Sequence, residues 1–394
     1  MRVRLETSVK SEINSAFIVI LLICNPPTFA NKKDTIMNKM ILTMACVLML
    51  QSLTSCGADP INDISDSSTI PSDGSDKPAD GTSDGNQADN NTSWFSGSST
   101  VGDVIGDEAF NGFGSLLFPV DRQVSSSMTL AEVSSSSVYV WYTHIQTSKT
   151  VEILNRLKQD ALDGHQIFFP IYTEAEIQAN PSKRYTGLFF FRGNPGKEFA
   201  VMNAGGGFMY VGAMHDSFPH ALEVSKKGYN CFALIYRPDA PYDDLARALT
   251  YIHSHADELG VKADGYSLWG GSAGARMAAT LGNGNYLRQL TGSSDVPQAA
   301  AVVMQYTGYN RANRTDAPTY ANVGTNDGIA SWQTMQNRLK ALSNMGIPTD
   351  FHVYQGLGHG FGIGQGTVAE GWVDDAVRFW ERQIMTSSIS TPTM

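Results

Sequence analysis

The chain is expected to fold as an α/β domain in which a mostly parallel central sheet carries helices on both faces. Three observations point there. From residue 187 onward, short apolar runs of strand length alternate with segments of helical periodicity. With 394 residues, 42% of them hydrophobic, the chain can fill a sizeable core, so wholesale disorder is excluded. No internal repeat of fixed period is visible, which removes solenoids and propellers.

Taken in order, the elements begin with an address. Met37-Asn38-Lys39-Met40 followed by the apolar run Ile41 to Leu50 has signal-peptide length, too short for a permanent bilayer span. An earlier apolar run, Ala16 to Cys24, would make a second signal in series, so translation is expected to start at Met37 or Met40, with residues 1–36 a mis-called start or extra leader. Residues 57–98 are Ser, Asp, Gly, Asn and Pro with few residues able to bury surface, and are expected to form a disordered acidic tether. The folded body is expected over 99–394, with 99–185 an N-terminal extension or partial cap.

Within the body, Thr147 to Leu162 has helical spacing through Val151, Leu154, Leu157 and Leu162. Gly187 to Arg192 and Glu198 to Asn203 read as strands on either side of the turn signal Gly193-Asn-Pro-Gly196. Asn230 to Arg237 is a buried strand and Asp243 to Leu259 a helix. The alternation continues with strand Tyr266 to Trp269, helix Ala273 to Leu281, strands Ala300 to Gln305 and Thr319 to Val323, helix Trp332 to Ser343, strand Asp350 to Tyr354 and helix Gly371 to Ile384. The link from Gln305 to Thr319 leaves no room for a large lid between the sixth and seventh strands.

Charge and cysteine content narrow the chemistry. The formal net charge is −10, and residues 57–98 alone contribute −7, so the body is only mildly acidic. Nucleic acid is not an expected partner, because its binders show basic excess. Three of the four cysteines lie in the first 56 residues and only Cys231 lies in the body, which excludes an intradomain disulfide and a cysteine-rich metal site. Cys231 is expected as a small buried hydrophobe on a strand. His253 and His255 point about 200° apart on a helix and make no metal pair. No metal and no organic cofactor is expected.

The strongest motif is Gly270-Gly271-Ser272-Ala273-Gly274, a G-x-S-x-G between a predicted strand and a predicted helix. Such a turn needs small residues around the serine and projects its hydroxyl at the carboxyl edge of a sheet. A serine nucleophile needs a base, an orienting acid and oxyanion donors. Asp327 follows the strand ending at Val323, and His359 follows the strand ending at Tyr354, giving Ser, Asp, His in chain order. Asp316 precedes its strand and Asp350 begins one, so both lie at the wrong edge. Upstream, Asn203-Ala204-Gly205-Gly206-Gly207-Phe208 follows a strand, with Gly206, Gly207 and Ala273 the expected oxyanion donors. Trp332, Tyr306, Tyr309 and Phe361 are candidate aromatic walls.

These stretches, with Gly324-Thr-Asn-Asp327 and Gly358-His359-Gly-Phe361, resemble the α/β-hydrolase superfamily from about Tyr139 to Gln383, close to its hormone-sensitive-lipase-like and acetyl/feruloyl carbohydrate-esterase branches. Ala204 departs from the HGGG-type loop, which carries histidine there. Leu53-Thr54-Ser55-Cys56 resembles a bacterial lipobox, implying lipidation of Cys56 and anchorage in the cell envelope, at the periplasmic face or outer surface. The resemblance implies a serine esterase that removes acetyl or feruloyl groups from plant polysaccharides or oligosaccharides. A prolyl-oligopeptidase-like serine peptidase and an inert glycan-binding surface lipoprotein are the alternatives.

Overall fold

The computed structural model describes residues 94–389. The leader, Cys56 and the tether as far as residue 93 lie outside the described residues. The folded body takes in the last residues assigned to the tether. Phe95 is buried, stacks on Phe110 with ring centroids 5.9 Å apart, and exchanges backbone hydrogen bonds of 2.9 Å with the Asn155 amide.

Eight strands form one sheet: β1 (Phe168–Pro170), β2 (Gly187–Phe191), β3 (Glu198–Asn203), β4 (Asn230–Ile235), β5 (Lys262–Gly271), β6 (Ala301–Gln305), β7 (Thr319–Gly324) and β8 (Thr349–Tyr354). Their order is β1-β2-β4-β3-β5-β6-β7-β8. From β4 to β8 every pairing is parallel, whereas β1 and β2 are antiparallel to their neighbours. The turn at 193–196 therefore joins two strands that are not neighbours, because β4 inserts between β2 and β3. Every residue of β2, β3, β4, β6 and β7 is buried, as strands covered on both faces must be. Cys231 is fully buried on β4.

The helices are α1 (Val101–Ile105), α2 (Leu130–Ser135), α3 (Thr147–Leu162), α4 (Glu174–Ala179), α5 (Ala213–Asp216), α6 (Phe218–Ser225), α7 (Pro241–Ser254), α8 (Ala256–Leu259), α9 (Ala273–Leu281), α10 (Gly284–Thr291), α11 (Trp332–Asn344) and α12 (Trp372–Ile389). One group, α3, α6 and α12, covers one face; α7, α9 and α10 cover the other; α11 packs on β7 and β8. The helix expected over 243–259 is two helices, broken at His255.

The extension is more ordered than its composition suggested. Thr100 with Asp103, Thr129 with Glu132 and Thr173 with Glu176 close reciprocal capping boxes on α1, α2 and α4. Phe113 then bridges the extension to the sheet, 5.2 Å from the Phe168 ring and 5.9 Å from that of Phe189. The extension also supplies β1, the edge strand. No helix or strand forms between β6 and β7, so residues 306–318 hold no lid.

Candidate active site

The carboxyl ends of β3, β5, β7 and β8 meet at one edge of the sheet, where parallel strands collect a site. Ser272 sits between β5 and α9 with φ 51° and ψ −113°, a strained backbone for a residue other than glycine. The strain is enforced by close packing. A Cβ on Gly270 would lie 2.3 Å from the Gly274 carbonyl carbon, and one on Gly274 would lie 1.9 Å from the Asn203 oxygen. Ser272 N–H donates to the Gln305 carbonyl at 3.0 Å, which fixes the turn to β6.

Ser272 Oγ lies 3.1 Å from His359 Nε2, and His359 Nδ1 lies 2.8 Å from Asp327 Oδ2. Asp327 Oδ1 accepts from the N–H groups of Ile329 and Ala330 at 2.8 and 2.7 Å. Both carboxylate oxygens are thus engaged, and the side chain is shielded from solvent, which holds the acid in one orientation. Ser272 is partly exposed. The arrangement can pass a proton from the serine hydroxyl to the imidazole while the carboxylate balances the charge that forms.

Beside the serine runs the glycine loop. Gly206 and Gly207 have φ of 123° and 64°, conformations that favour glycine. Gly205 abuts the serine: a Cβ there would lie 2.9 Å from Ser272 Cβ. Ala273 opens α9, so its N–H has no partner within the helix. The structure therefore gathers Ser272, His359, Asp327, the 205–207 loop and Ala273 at one place. Cys56 lies outside the described residues.

The alternative acids are occupied elsewhere. Asp316 is buried and accepts from Asn283 at 2.5 Å and Arg338 at 3.2 Å. Asp350 lies beside His352 and Arg382. Among the described residues no group of three His, Cys, Asp or Glu side chains is disposed to hold a metal ion.

Two of the aromatic candidates turn out to be supports. Tyr306 and Phe361 are buried; the Tyr306 ring packs edge-on at 4.9 Å against both His359 and Phe361. The ring that meets solvent here is Trp141, 38% exposed, stacked on Tyr210 and close to Gly207, where a Cβ would lie 3.0 Å from the indole. Trp141 belongs to a strap from the extension. Thr143 N–H donates to the Gly360 carbonyl at 2.9 Å, and its hydroxyl donates to the His359 carbonyl at 3.0 Å. The strap has no regular periodicity to announce it in the sequence; its aromatic cluster Tyr139-Val-Trp-Tyr142 is the one available signal.

Buried titratable groups surround the site. Asp216 is buried, which pushes its carboxyl up to about 6 although hydrogen bonds from Tyr306, Gly205 and Tyr142 pull the other way. Burial depresses His215 to about 3 and His220 to about 4. His220 Nε2 pairs with Gln305 Oε1 at 2.8 Å, and Gln305 Nε2 donates to the Gly362 carbonyl at 2.9 Å, so the histidine braces the loop that bears His359.

The BD-FAE family profile matches residues 195–323, a segment running from the start of β3 into β7 through the glycine loop and the Ser272 turn. No curated protein matches the sequence. Similar solved structures include an α/β hydrolase enzyme, MGS-M1, from a Medee basin deep-sea metagenome library, at 19% identity and TM-score 0.45, covering 55% of this chain and 97% of that one. An acetyl ester-xyloside bifunctional hydrolase from Caldicellulosiruptor lactoaceticus has 18% identity and TM-score 0.47, covering 55% and 95%. A thermophilic esterase from Thermogutta terrifontis has 18% identity and TM-score 0.45, covering 50% and 88%. The sheet order and the strand-turn-helix placement of Ser272 between β5 and α9 are those of an α/β-hydrolase fold, and the BD-FAE profile matches the segment that carries this turn.

Proposed function

We propose that the protein is a serine carboxylic-ester hydrolase that removes acetyl or feruloyl groups from plant polysaccharides and their oligosaccharides. The observation that carries this reading is the continuous contact from Ser272 through His359 to Asp327, 3.1 and 2.8 Å, at the open carboxyl edge of the sheet. Ser272 Oγ attacks the ester carbonyl as His359 takes its proton. The carbonyl oxygen becomes an oxyanion held by the N–H groups of Gly206, Gly207 and Ala273. His359 then gives that proton to the departing sugar oxygen, which leaves as a free hydroxyl and an acyl-enzyme remains. Water, deprotonated by the same histidine, releases the acid and restores Ser272. Asp327 fixes the histidine tautomer and stabilises its charged form.

The substrate side of the reading is supported by two features. Residues 306–318 supply no lid to enclose a lipid chain, and Trp141 presents an indole beside the glycine loop, a surface suited to a sugar or aryl ring. Lipidation at Cys56, with the acidic tether beyond it, would hold the domain off the bacterial envelope.

The test is release of acetate from acetylated xylan and of ferulate from feruloylated arabinoxylan by the full chain and by Ser272→Ala. The variant is expected to lose turnover of these and of p-nitrophenyl acetate. Retention of more than about a thousandth of the wild-type rate sinks the mechanism, because catalysis remaining without a triad member is small. Turnover of an aminoacyl-proline anilide with no ester hydrolysis would favour the peptidase instead.

A further inference from the structure

Position 204 is alanine, whose methyl group can give the glycine loop no hydrogen bond, yet the loop is tightly held. Gly205 has both of its backbone groups engaged. Its carbonyl accepts from Gly212 N–H at 3.0 Å, and its N–H donates to Asp216 Oδ2 at 2.7 Å. The same oxygen accepts from the Tyr142 hydroxyl at 3.1 Å, and the other carboxylate oxygen accepts from the Tyr306 hydroxyl. One buried carboxylate thus joins the glycine loop, the extension strap and the residue after β6, through donors that are all neutral. It also touches the serine turn: a Cβ on Gly271 would lie 2.3 Å from Asp216 Oδ1. Burying a carboxylate among neutral groups is unfavourable unless its oxygens are hydrogen-bonded, and here they are.

We propose that Asp216 is a positioning residue that sets the height of the Gly206 and Gly207 donors over Ser272 by holding Gly205 N–H, with Tyr142 and Tyr306 fixing the carboxylate. This rests on the serine-esterase reading above. Asp216 touches no reacting atom; it acts through the loop, so its removal should weaken binding of the oxyanion more than binding of the ester.

The experiment compares the full chain with Asp216→Ala and Asp216→Asn in kcat and KM for p-nitrophenyl acetate and in affinity for an aryl trifluoromethyl ketone. In that inhibitor Ser272 Oγ adds to the ketone carbon, its proton passes to His359, and the former carbonyl oxygen sits as an alkoxide in the same hole. Asp216→Ala is expected to lose about 10²-fold in kcat, the scale of one misplaced oxyanion donor, with KM within about threefold and ketone affinity falling with kcat. Asp216→Asn keeps one acceptor oxygen for Gly205 N–H and is expected to fall between the alanine variant and wild type. Either variant matching wild type in both kcat and ketone affinity overturns the proposal, as does a loss confined to KM. Where Asp216→Ala does not fold, the asparagine variant decides alone. A wild-type chain without Ser272-dependent ester turnover would instead remove the esterase reading itself, before any Asp216 variant is compared.

Discussion

Asp327 engages His359 through one carboxylate oxygen, at 2.8 Å, and spends the other on two backbone N–H groups of its own loop. The acid is therefore locked by its local chain, and the histidine is oriented by a group that cannot turn away. Asp327→Asn should keep the fold, since an amide oxygen can still accept from Ile329 and Ala330. Its amide nitrogen would then face His359 Nδ1 and favour the wrong tautomer. A fall in kcat of about 10⁴-fold is expected at neutral pH, with a circular dichroism spectrum like that of wild type.

Gly274 packs against the Asn203 carbonyl so closely that a methyl group would sit 1.9 Å from the oxygen. The atoms it would meet are backbone atoms of Asn203 and Ala204 at the end of β3, which cannot move aside cheaply. Gly274→Ala should destabilise the domain by about 3 kcal/mol, the upper end of ordinary overpacking. Urea unfolding measures it, with Ser272→Ala as the control that should unfold like wild type. A change below about 0.5 kcal/mol would show that the turn is looser than its geometry.

Phe95 belongs to the folded body. A fragment beginning at residue 99 removes a buried aromatic ring and both of its hydrogen bonds to Asn155. It should be less stable than one beginning at residue 93 by about 3 kcal/mol, the cost typical of deleting a buried phenylalanine side chain. Phe95→Ala in the full chain should show a loss of similar size; equal melting temperatures for the two fragments would place the boundary at 99.

Stability should fall on acidification below pH 6.5. Burial holds His215 at about 3 and both His220 and His253 at about 4, against 6.5 for a free imidazole. The unfolded chain binds these protons first, so folding is favoured above pH 6.5 and weakens as pH falls toward 4. Asp216 works the opposite way: with its carboxyl raised to about 6, it opposes folding as pH rises through 4 to 6. The three histidines outweigh it. His253 packs edge-on between Phe199 and Tyr266, so His253→Phe keeps an aromatic ring and removes one titration. Its stability should depend less on pH between 6.5 and 4 than that of wild type, by roughly 2–3 kcal/mol. Parallel curves would show that His253 titrates normally.

The elements that repeat a period or a motif were legible from the chain. The strands at 198–203 and 319–323, the helix at 273–281 and the spacing of Ser272, Asp327 and His359 appear in the structure within a residue or two of their expected positions. Periodicity is a local property and a strand-to-helix serine turn has a local steric cause, so both are written in consecutive residues. Apart from the helix at Thr147–Leu162, the extension was harder because its helices are short and its aromatic residues bury themselves against a strand far along the chain. Its capping boxes, Thr129 with Glu132 and Thr173 with Glu176, were present in the sequence as T-x-x-E and marked those helix starts.

By itself, then, the sequence determined the α/β alternation, the lid-free link at 306–318 and which residues would stand at the carboxyl edge of the sheet. Only the tertiary structure decided that β4 would lie between β2 and β3, that Trp141 would reach the glycine loop, and that Asp216 would take hold of Gly205 where alanine occupies position 204. Those contacts join segments whose separation along the chain says nothing of their distance in space. Tyr142, Asp216 and Tyr306 come together only because packing leaves one buried carboxylate to be satisfied by whichever donors the fold delivers to it.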